Sequence, residues 1–578
     1  MTEQPGQEQR AFWAILLAMG VLIVWSVVFP PTSPPTSTDP EIAAGGETAG
    51  EVVGLREPEP AGPPKVQPPS DSGSLLGVVT GTGTLLSRPP DVVPTQRVKV
   101  ESEDLHLTID GLGARVVQAV IPAYPGAKGT TGPVQLVPET GAGALGSVVV
   151  VGGRETPLDQ FPFKLVSDSR STQGRQVVWE ATLDQLTLRK TFIVPESGNV
   201  IRITQQLVDD RVGVEAWGLA WAGGLRVTEK QVSKQRGPYF EGAVLAEGKV
   251  QRKNERDFRK GPLEYPGHTY FVAVTNKYFM GAIVPQGEAQ GPAKLWSAGA
   301  GRDGEASVGA EILVERTPGI AADQVDYSVY IGPMDFDELQ ATGLGIEKAM
   351  DLGWTWVRPL SELILKLIIW MHSIIPNYGV VIILFSILIN VIFFPLTYKS
   401  TKSMRDMAAL KPRMDELKEK YKDEPQKMSE ATMKLYKEAG VNPLAGCLPL
   451  FLQMPIFFAL YAVLFRTIEL RQAPFFGWIQ DLSQPDVVFH LPVALPFIGT
   501  GISLLPIIMG ITSFFQTKAT TVDPSQKAMI YMMPIMMTFI FFTMPSGLVL
   551  YWLMSNLFTI GQRAIMKPSP AAQATAGG

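Results

Sequence analysis

The chain has little of what most catalytic and metal sites require. Cysteine occurs once, at Cys447, which excludes an intrachain disulfide and a cysteine-based zinc site. The four histidines, His106, His268, His372 and His490, are scattered and form no ligand-spaced group. No P-loop, GxSxG or HExxH motif occurs, and no carboxylate spacing picks out an acid–base pair, so neither an enzyme nor a cofactor is expected. A basic excess is missing too. The 50 Lys+Arg against 55 Asp+Glu leave a formal charge of -5, which argues against a direct nucleic-acid role. The apolar segments of the last third hold no carboxylate, and that weighs against a proton- or sodium-coupled transporter.

What is present is unevenly distributed. After a short N-terminus (1–10), residues 11–29 (AFWAILLAMGVLIVWSVVF) carry no charge and are long enough to span a bilayer. Only Arg10 flanks this segment and Pro30 and Pro31 follow it, a pattern of a retained anchor rather than a cleaved signal peptide. Residues 30–94 are rich in Pro, Gly, Thr, Ser and Glu and are expected to be a disordered linker. Residues 95–335 change texture. Short alternating runs such as LHLTID, QVVWEATL, TLRKTFIV and VDYSVYIG, many separated by Gly, Pro, Asp or Asn, predict antiparallel strands in one large β-sandwich. Residues 336–376 connect. Within them 359–375 is apolar but holds Glu362, Lys366 and His372, which fits an amphipathic helix lying in the membrane interface.

The region 377–566 contains five apolar segments, at about 378–396, 443–465, 501–517, 528–544 and 547–563, giving six predicted spans with the first. Residues 528–562 hold no charge and exceed one span; the MPSG sequence at 544–547 divides them by a turn. Each half then reaches only about 24 Å as a helix, less than a hydrocarbon core of about 30 Å, so local thinning of the bilayer is expected. Residues 567–578 form a short tail.

Orientation follows from basic residues in short loops. The stretch 397–442 carries Lys399, Lys402, Arg405, Lys411, Arg413 and six further lysines, whereas 467–489 carries only Arg471. The first loop is therefore cytoplasmic, the β-domain is outside and both termini are inside. Met407, Leu410, Met414, Leu417 and Tyr421 repeat at three and four, a coiled-coil-like seam. DEPQ at 423–426 breaks the helix, which resumes over 427–439 before Gly440. The loop is thus a charged helical hairpin, suited to docking.

Uncharged polar residues occur inside the predicted spans. Ser386 and Asn390, Thr512 and Gln516, and Tyr551 and Ser555 are each four apart and share a helix face. Gln453 precedes Met454 and Pro455 in mid-segment. Two readings stay open: hydrogen bonds between helices, worth roughly 0.6 to 2 kcal/mol each, or the lining of a hydrated cavity.

Four C-terminal stretches are specific: FFPLTYKSTKSM, YKEAGVNPLAGCLPLFLQMPIFFALY, ELRQAPFFGWIQDLS and DPSQKAMIYMMPIMMTFIFFTMPSGLVLYWLMSNL. In this order they resemble the YidC/Oxa/Alb family of membrane protein insertases. LTIDGLGARVVQAVIPAYPG and YFVAVTNKYFMGAIVP resemble the periplasmic β-supersandwich of Gram-negative members. The resemblance implies a multi-domain integral protein of the bacterial inner membrane, with an α-helical bundle, a periplasmic β-supersandwich and a cytoplasmic hairpin. It implies insertion and folding of newly made membrane proteins through a hydrophilic groove open to lipid, alone or with the Sec translocon. It also implies client contacts near Met454 and Pro455 and in the last two spans, and recruitment of clients or the ribosome by the hairpin. The position five residues before the PLT motif is usually an arginine in the family; here it is Asn390. The tail after Lys567 is bland, so the ribosome-holding tail of some relatives is not expected. The rival reading is a small-solute transporter or channel. It would need a continuous polar path, whereas these polar residues sit at mid-depth and toward the cytoplasmic side.

Overall fold

The computed structural model describes residues 96–565, apart from the short segments 128–129, 138–141, 184, 230–239, 288–289, 301–305, 317–322, 423, 442–447, 496–497 and 521–526. The first apolar segment, the linker, Cys447 and the tail lie outside the described residues.

Strands form where side chains alternate. Leu186–Val194 (LTLRKTFIV) buries every second residue and pairs antiparallel with Val200–Asp210, placing Ile203 opposite Phe192. Four strands at Arg97–Glu101, His106–Asp110, Arg115–Pro125 and Pro133–Gln135 form one sheet in sequence order. A fourteen-stranded sheet takes up the rest of the β-region to Gln324–Pro333. One core joins the two sheets: Val100, Ile109 and Val116 share it with Trp179, Phe192, Ile203, Leu219 and Ile312. The domain is a large β-sandwich.

Alternation also places a charge inside. Lys190 falls at an inward position and is fully buried. Its Nζ donates to the Leu145 carbonyl and to Ser147 Oγ, the latter at 3.2 Å. Burial pulls its pKa from 10.5 down to about 7. Between these values the unfolded chain binds a proton that the folded chain does not, so stability rises with pH across that window and is flat below it. Lys190→Met should abolish this part of the pH dependence. Denaturant unfolding of the full chain, followed by tryptophan fluorescence from pH 7 to 10, should show a slope lower by up to about 1.4 kcal/mol per pH unit.

Helices follow the sandwich. A short α1 (Phe336–Ala341) is capped by Asp335, whose carboxylate accepts from the Glu338 amide. Helix α2 (Arg358–Ile374) buries Ser361, Ile364, Leu365 and Ile368 on one face and exposes Leu363, Trp370 and Ile374 on the other. Helix α3 (Tyr378–Ala409) is one continuous rod of 32 residues. Lys399, Lys402 and Arg405 therefore ride on α3 itself, and the hairpin proper is α4 (Lys411–Lys420) and α5 (Pro425–Glu438). Tyr436 of α5 donates to Met414 Sδ of α4 at 3.2 Å.

Four helices complete the bundle: α6 (Leu448–Arg466), α7 (Leu505–Thr520), α8 (Lys527–Phe541) and α9 (Ser546–Ile565). Among the described residues one helical stretch, Tyr378–Met404, is by itself long and apolar enough to cross a bilayer. Helices α7 and α8, of 16 and 15 residues, reach only about 24 and 22 Å. Helix α7 begins at Leu505 because Val487–Leu495 and Gly499–Ser503 pair as a two-stranded ribbon.

The link from α6 to this ribbon carries the contacts between sandwich and bundle. Arg466 pairs with Asp351 at 2.9 Å and Glu241 at 3.4 Å, and the Arg466 charge holds the Asp351 carboxyl below its usual range. Arg471 Nε donates to Glu229 Oε1 at 2.6 Å, with both side chains buried. Lys277 Nζ donates to the Ser483 carbonyl at 3.2 Å, and Tyr278 OH to Ser483 Oγ at 2.9 Å. Burial lifts the Glu229 carboxyl despite Arg471 beside it, so desolvation outweighs attraction here. Arg471→Met alone leaves Glu229 buried without its partner and should cost about 3–5 kcal/mol. The double variant Arg471→Met with Glu229→Gln should recover most of that loss. Thermal unfolding of the full chain in detergent checks both.

Candidate functional site

The bundle's polar residues are placed by two helix contacts. Along the first, α3 lies against α9. Ser386 Oγ lies 3.3 Å from both the Tyr551 carbonyl and Ser555 Oγ. Asn390 Nδ2 donates to the Ser386 carbonyl at 2.8 Å and to Ser555 Oγ at 3.2 Å. One helical stretch further, Gln562 Nε2 donates to Thr397 Oγ1 at 3.3 Å. The pairs 386–551, 390–555 and 397–562 are each separated by 165 residues. A constant separation means that α3 and α9 run parallel, so their C-terminal ends lie at the same end of the bundle. The basic stretch and the end of α9 therefore share a side.

The second contact joins α9 to α7. Asn556 Nδ2 donates to Ser513 Oγ at 2.7 Å and Thr512 Oγ1 at 3.2 Å. Thr512 Oγ1 in turn donates to the Met509 carbonyl at 2.8 Å. Helix α6 closes on the same centre, where Gln453 Nε2 donates to Tyr551 OH at 3.1 Å. Tyr551 thus accepts from α6 by its hydroxyl and from α3 by its carbonyl. Phe457 of α6 packs edge-on to Trp552 of α9 with centroids 5.4 Å apart.

The structure therefore brings Ser386, Asn390, Gln453, Tyr551 and Ser555 into one bonded cluster, and Thr512 into a second cluster with Asn556. Ser386, Tyr551 and Ser555 are buried, whereas Asn390 and Gln453 are half-buried. Met454 is exposed, Pro455 is half-buried inside α6, and Gln516 is half-buried one turn beyond Thr512. Gln516 joins neither cluster. Lys399, Lys402 and Arg413 are exposed; Arg405 lies near the end of α3 and Lys411 begins α4.

Sequence reasoning missed Asn556, Ser513 and the Thr397–Gln562 pair. The signal for Asn556 is its position directly after Ser555. Adjacent helical residues point about 100° apart, so Ser555 faces α3 while Asn556 faces α7. A search for spacings of four on a single face passes over the second of two such neighbours.

The upper ends of these helices are held by 481–486. Leu482 and Gln484 carbonyls accept from the amides of Gly547 and Ser546, the first residues of α9. Ser546 Oγ donates to the Asp481 carbonyl at 3.0 Å. Asp486 Oδ2 accepts from the Leu505 amide at 2.7 Å and Trp478 Nε1 at 2.9 Å. Gly547 fits closely here: a Cβ would meet the Leu482 carbonyl and Ile382 Cδ1, each at 3.1 Å, so the neighbours would have to give by a few tenths of an ångström.

Comparison with known proteins matches both halves. Residues 97–367 match the family model described as the YidC periplasmic domain, and residues 370–572 the model described as the 60Kd inner membrane protein. The membrane protein insertase YidC of Chlorobium limicola is 35% identical over 81% of this chain and 82% of its own. That of Chlorobium luteolum is 32% identical over 98% of this chain and 96% of its own. The chain belongs to the YidC family of membrane protein insertases. A solved structure of an active YidC insertase with its first transmembrane domain resolved aligns at 17% identity and a TM-score of 0.36, covering 82% of this chain and 95% of that one.

Within this YidC-family bundle, Asn556 and Asn390 should behave differently when made apolar. Asn556→Leu removes a buried donor with three acceptors within reach, Ser513 Oγ, Thr512 Oγ1 and the Met509 carbonyl, and should cost about 1–2 kcal/mol of bundle stability. Asn390→Leu, at a half-buried position, should cost less than half as much. Thermal inactivation in mild detergent, read by the onset of aggregation, compares the two.

Proposed function

We propose that this insertase carries short hydrophilic client segments across the membrane through a notch between α3, α6, α7 and α9, and that the notch works by hydration and hydrogen bonding without a fixed charge. The observation that carries the reading is the orientation of Asn390. The Ser386 carbonyl can only accept, so the amide must present its nitrogen there. Its Oδ1 makes no bond among the described residues, and the residue is half-buried. The notch thus offers a passing backbone an acceptor where the family resemblance implies an arginine. Residues 378–398 of α3, 448–465 of α6, 505–517 of α7 and 546–562 of α9 contain no Asp, Glu, Lys or Arg.

Ser386, Tyr551, Ser555 and Gln453 position Asn390. Met454 and Pro455 present the α6 face to the client, and Thr512 and Gln516 the α7 face. The clients are newly made membrane proteins, and folding assistance follows from the same surface. Helices α3, α6, α7, α8 and α9, with 11–29 before them, make six spans. The parallel course of α3 and α9 supports a cytoplasmic C-terminus beside the basic hairpin. Lys399, Lys402 and Arg405 on the extended end of α3, with Lys411 and Arg413 on α4, form the recruiting surface for clients or the ribosome. The insertase works alone or with the Sec translocon.

The test is insertion of a small single-span client into liposomes holding only this protein, read by protease protection of the translocated segment. Asn390→Leu should lower the protected fraction about fivefold, the effect of one acceptor worth about 1 kcal/mol. Asn390→Arg should insert an acidic client segment better than wild type does. Equal insertion by wild type and Asn390→Leu would make Asn390 a structural residue only.

A further inference from the structure

The ribbon before α7 is unusual in what it leaves uncovered. Val487–Leu495 and Gly499–Ser503 pair with register breaks between Val487 and Phe489 and between His490 and Leu495. Val488, Phe489, Val493 and Leu495 are exposed, at 47%, 59%, 68% and 41%. Phe489 and His490 pair in register with Ile502 and Gly501 and are both exposed, so both faces of the ribbon are open. An isolated two-stranded ribbon is marginal in water. This one leaves both of its faces open.

Three observations identify what covers it. First, residues 487–517 contain no Asp, Glu, Lys or Arg, so ribbon and spanning helix form one uncharged surface. Second, α7 exposes Ile507, Ile511 and Phe515 at intervals of four, an apolar stripe that starts four residues after the ribbon ends. Third, exposed Phe476 and Trp478 lie just before the ribbon, and the Trp478 indole N–H is bonded to Asp486. Aromatic residues with one polar bond are typical of the membrane–water boundary.

Depth is set by two opposed effects. The apolar side chains favour leaving water. The unpaired N–H and C=O groups along the outer edges of two lone strands cannot be left in hydrocarbon, where each costs several kcal/mol. The position that satisfies both is the boundary between headgroups and acyl chains.

We propose that the ribbon 487–503 is a lipid-binding wedge that lies about 5–10 Å deep in the leaflet on the β-domain side. The occupant of its apolar faces is phospholipid. This rests on the chain being a membrane protein and not on the notch around Asn390, so the two readings fail separately.

The experiment uses the full chain with Cys447→Ser and a single cysteine at Phe489→Cys or Val493→Cys, labelled with an environment-sensitive fluorophore. Val166→Cys, exposed on the β-domain strand Lys164–Ser171, is the control. The protein is placed in vesicles of phosphatidylethanolamine and phosphatidylglycerol. Nitroxide lipids carry the quencher near the headgroup or near the chain end, and iodide probes access from water. At both ribbon positions the shallow nitroxide should quench about twofold more than the deep one, as the interfacial depth requires, and the control should respond to iodide alone. Iodide access without lipid quenching would overturn the proposal. So would protection from every quencher, which would mean a protein partner or a second copy. Stronger quenching by the deep nitroxide would overturn the interfacial placement.

Discussion

The molecule depends on how the free N–H groups at two helix tops are satisfied. A helix leaves its first amides without intrahelical partners, and they must be met by side chains, other backbone groups or water. Residues 481–486 do so. The carbonyls of Leu482 and Gln484 take the first amides of α9, and the Asp486 carboxylate takes the Leu505 amide at the start of α7. A carboxylate there is also favoured by the helix dipole. Because Ser483 in the same segment is gripped by Tyr278 and Lys277, the sandwich is bonded to the element that caps the bundle. The β-domain and the helices thus share a polar seam, and a displacement on one side is felt at the helix starts on the other.

That seam is made of groups that are costly to bury. Lys277 is buried and its pKa falls to about 8 because burial disfavours its charge. It is compensated by the Ser483 carbonyl and by the ring of Phe465, 4.4 Å away. Arg471 lies near the Phe279 ring, 5.7 Å away, while holding Glu229. Such arrangements add little net stability over apolar packing, but removing one partner is costly because it leaves the other charge buried and uncompensated.

Much of this architecture was legible in the sequence. Alternation in LTLRKTFIV gives the strand directly, and MPSG marks the turn before α9 because Pro and Gly favour a tight turn. Ser386, Asn390 and Ser555 were visible because a polar residue in an apolar run is itself a signal. Three things were not. The ribbon at 487–503 has the composition of a span, and hydropathy does not separate a short apolar strand pair from a helix start. The extension of α3 to Ala409 was hidden because the basic residues after Tyr398 look like a loop boundary while helix formation ignores that boundary. The bonds from 481, 482 and 484 to the start of α9 are made by backbone carbonyls, which no side-chain pattern encodes.

The absence of a charge beside Asn390 shifts the proposed mechanism from attraction to geometry. Helices α7 and α8 reach about 24 and 22 Å, some 6–8 Å short of a typical core of about 30 Å. An extended client advances about 3.3 Å per residue, so a bilayer thinned to match removes roughly two residues' backbone from hydrocarbon. Each unbonded backbone group costs about 2–7 kcal/mol there. The saving equals or exceeds what one partly screened surface charge contributes at close range, about 4 kcal/mol. Under the proposed mechanism, an acceptor at Asn390 in a thinned, hydrated section of bilayer offsets the arginine that the family resemblance implies at this position. What it cannot replace is selectivity, since a hydrogen-bond acceptor does not distinguish an acidic client segment from a neutral one.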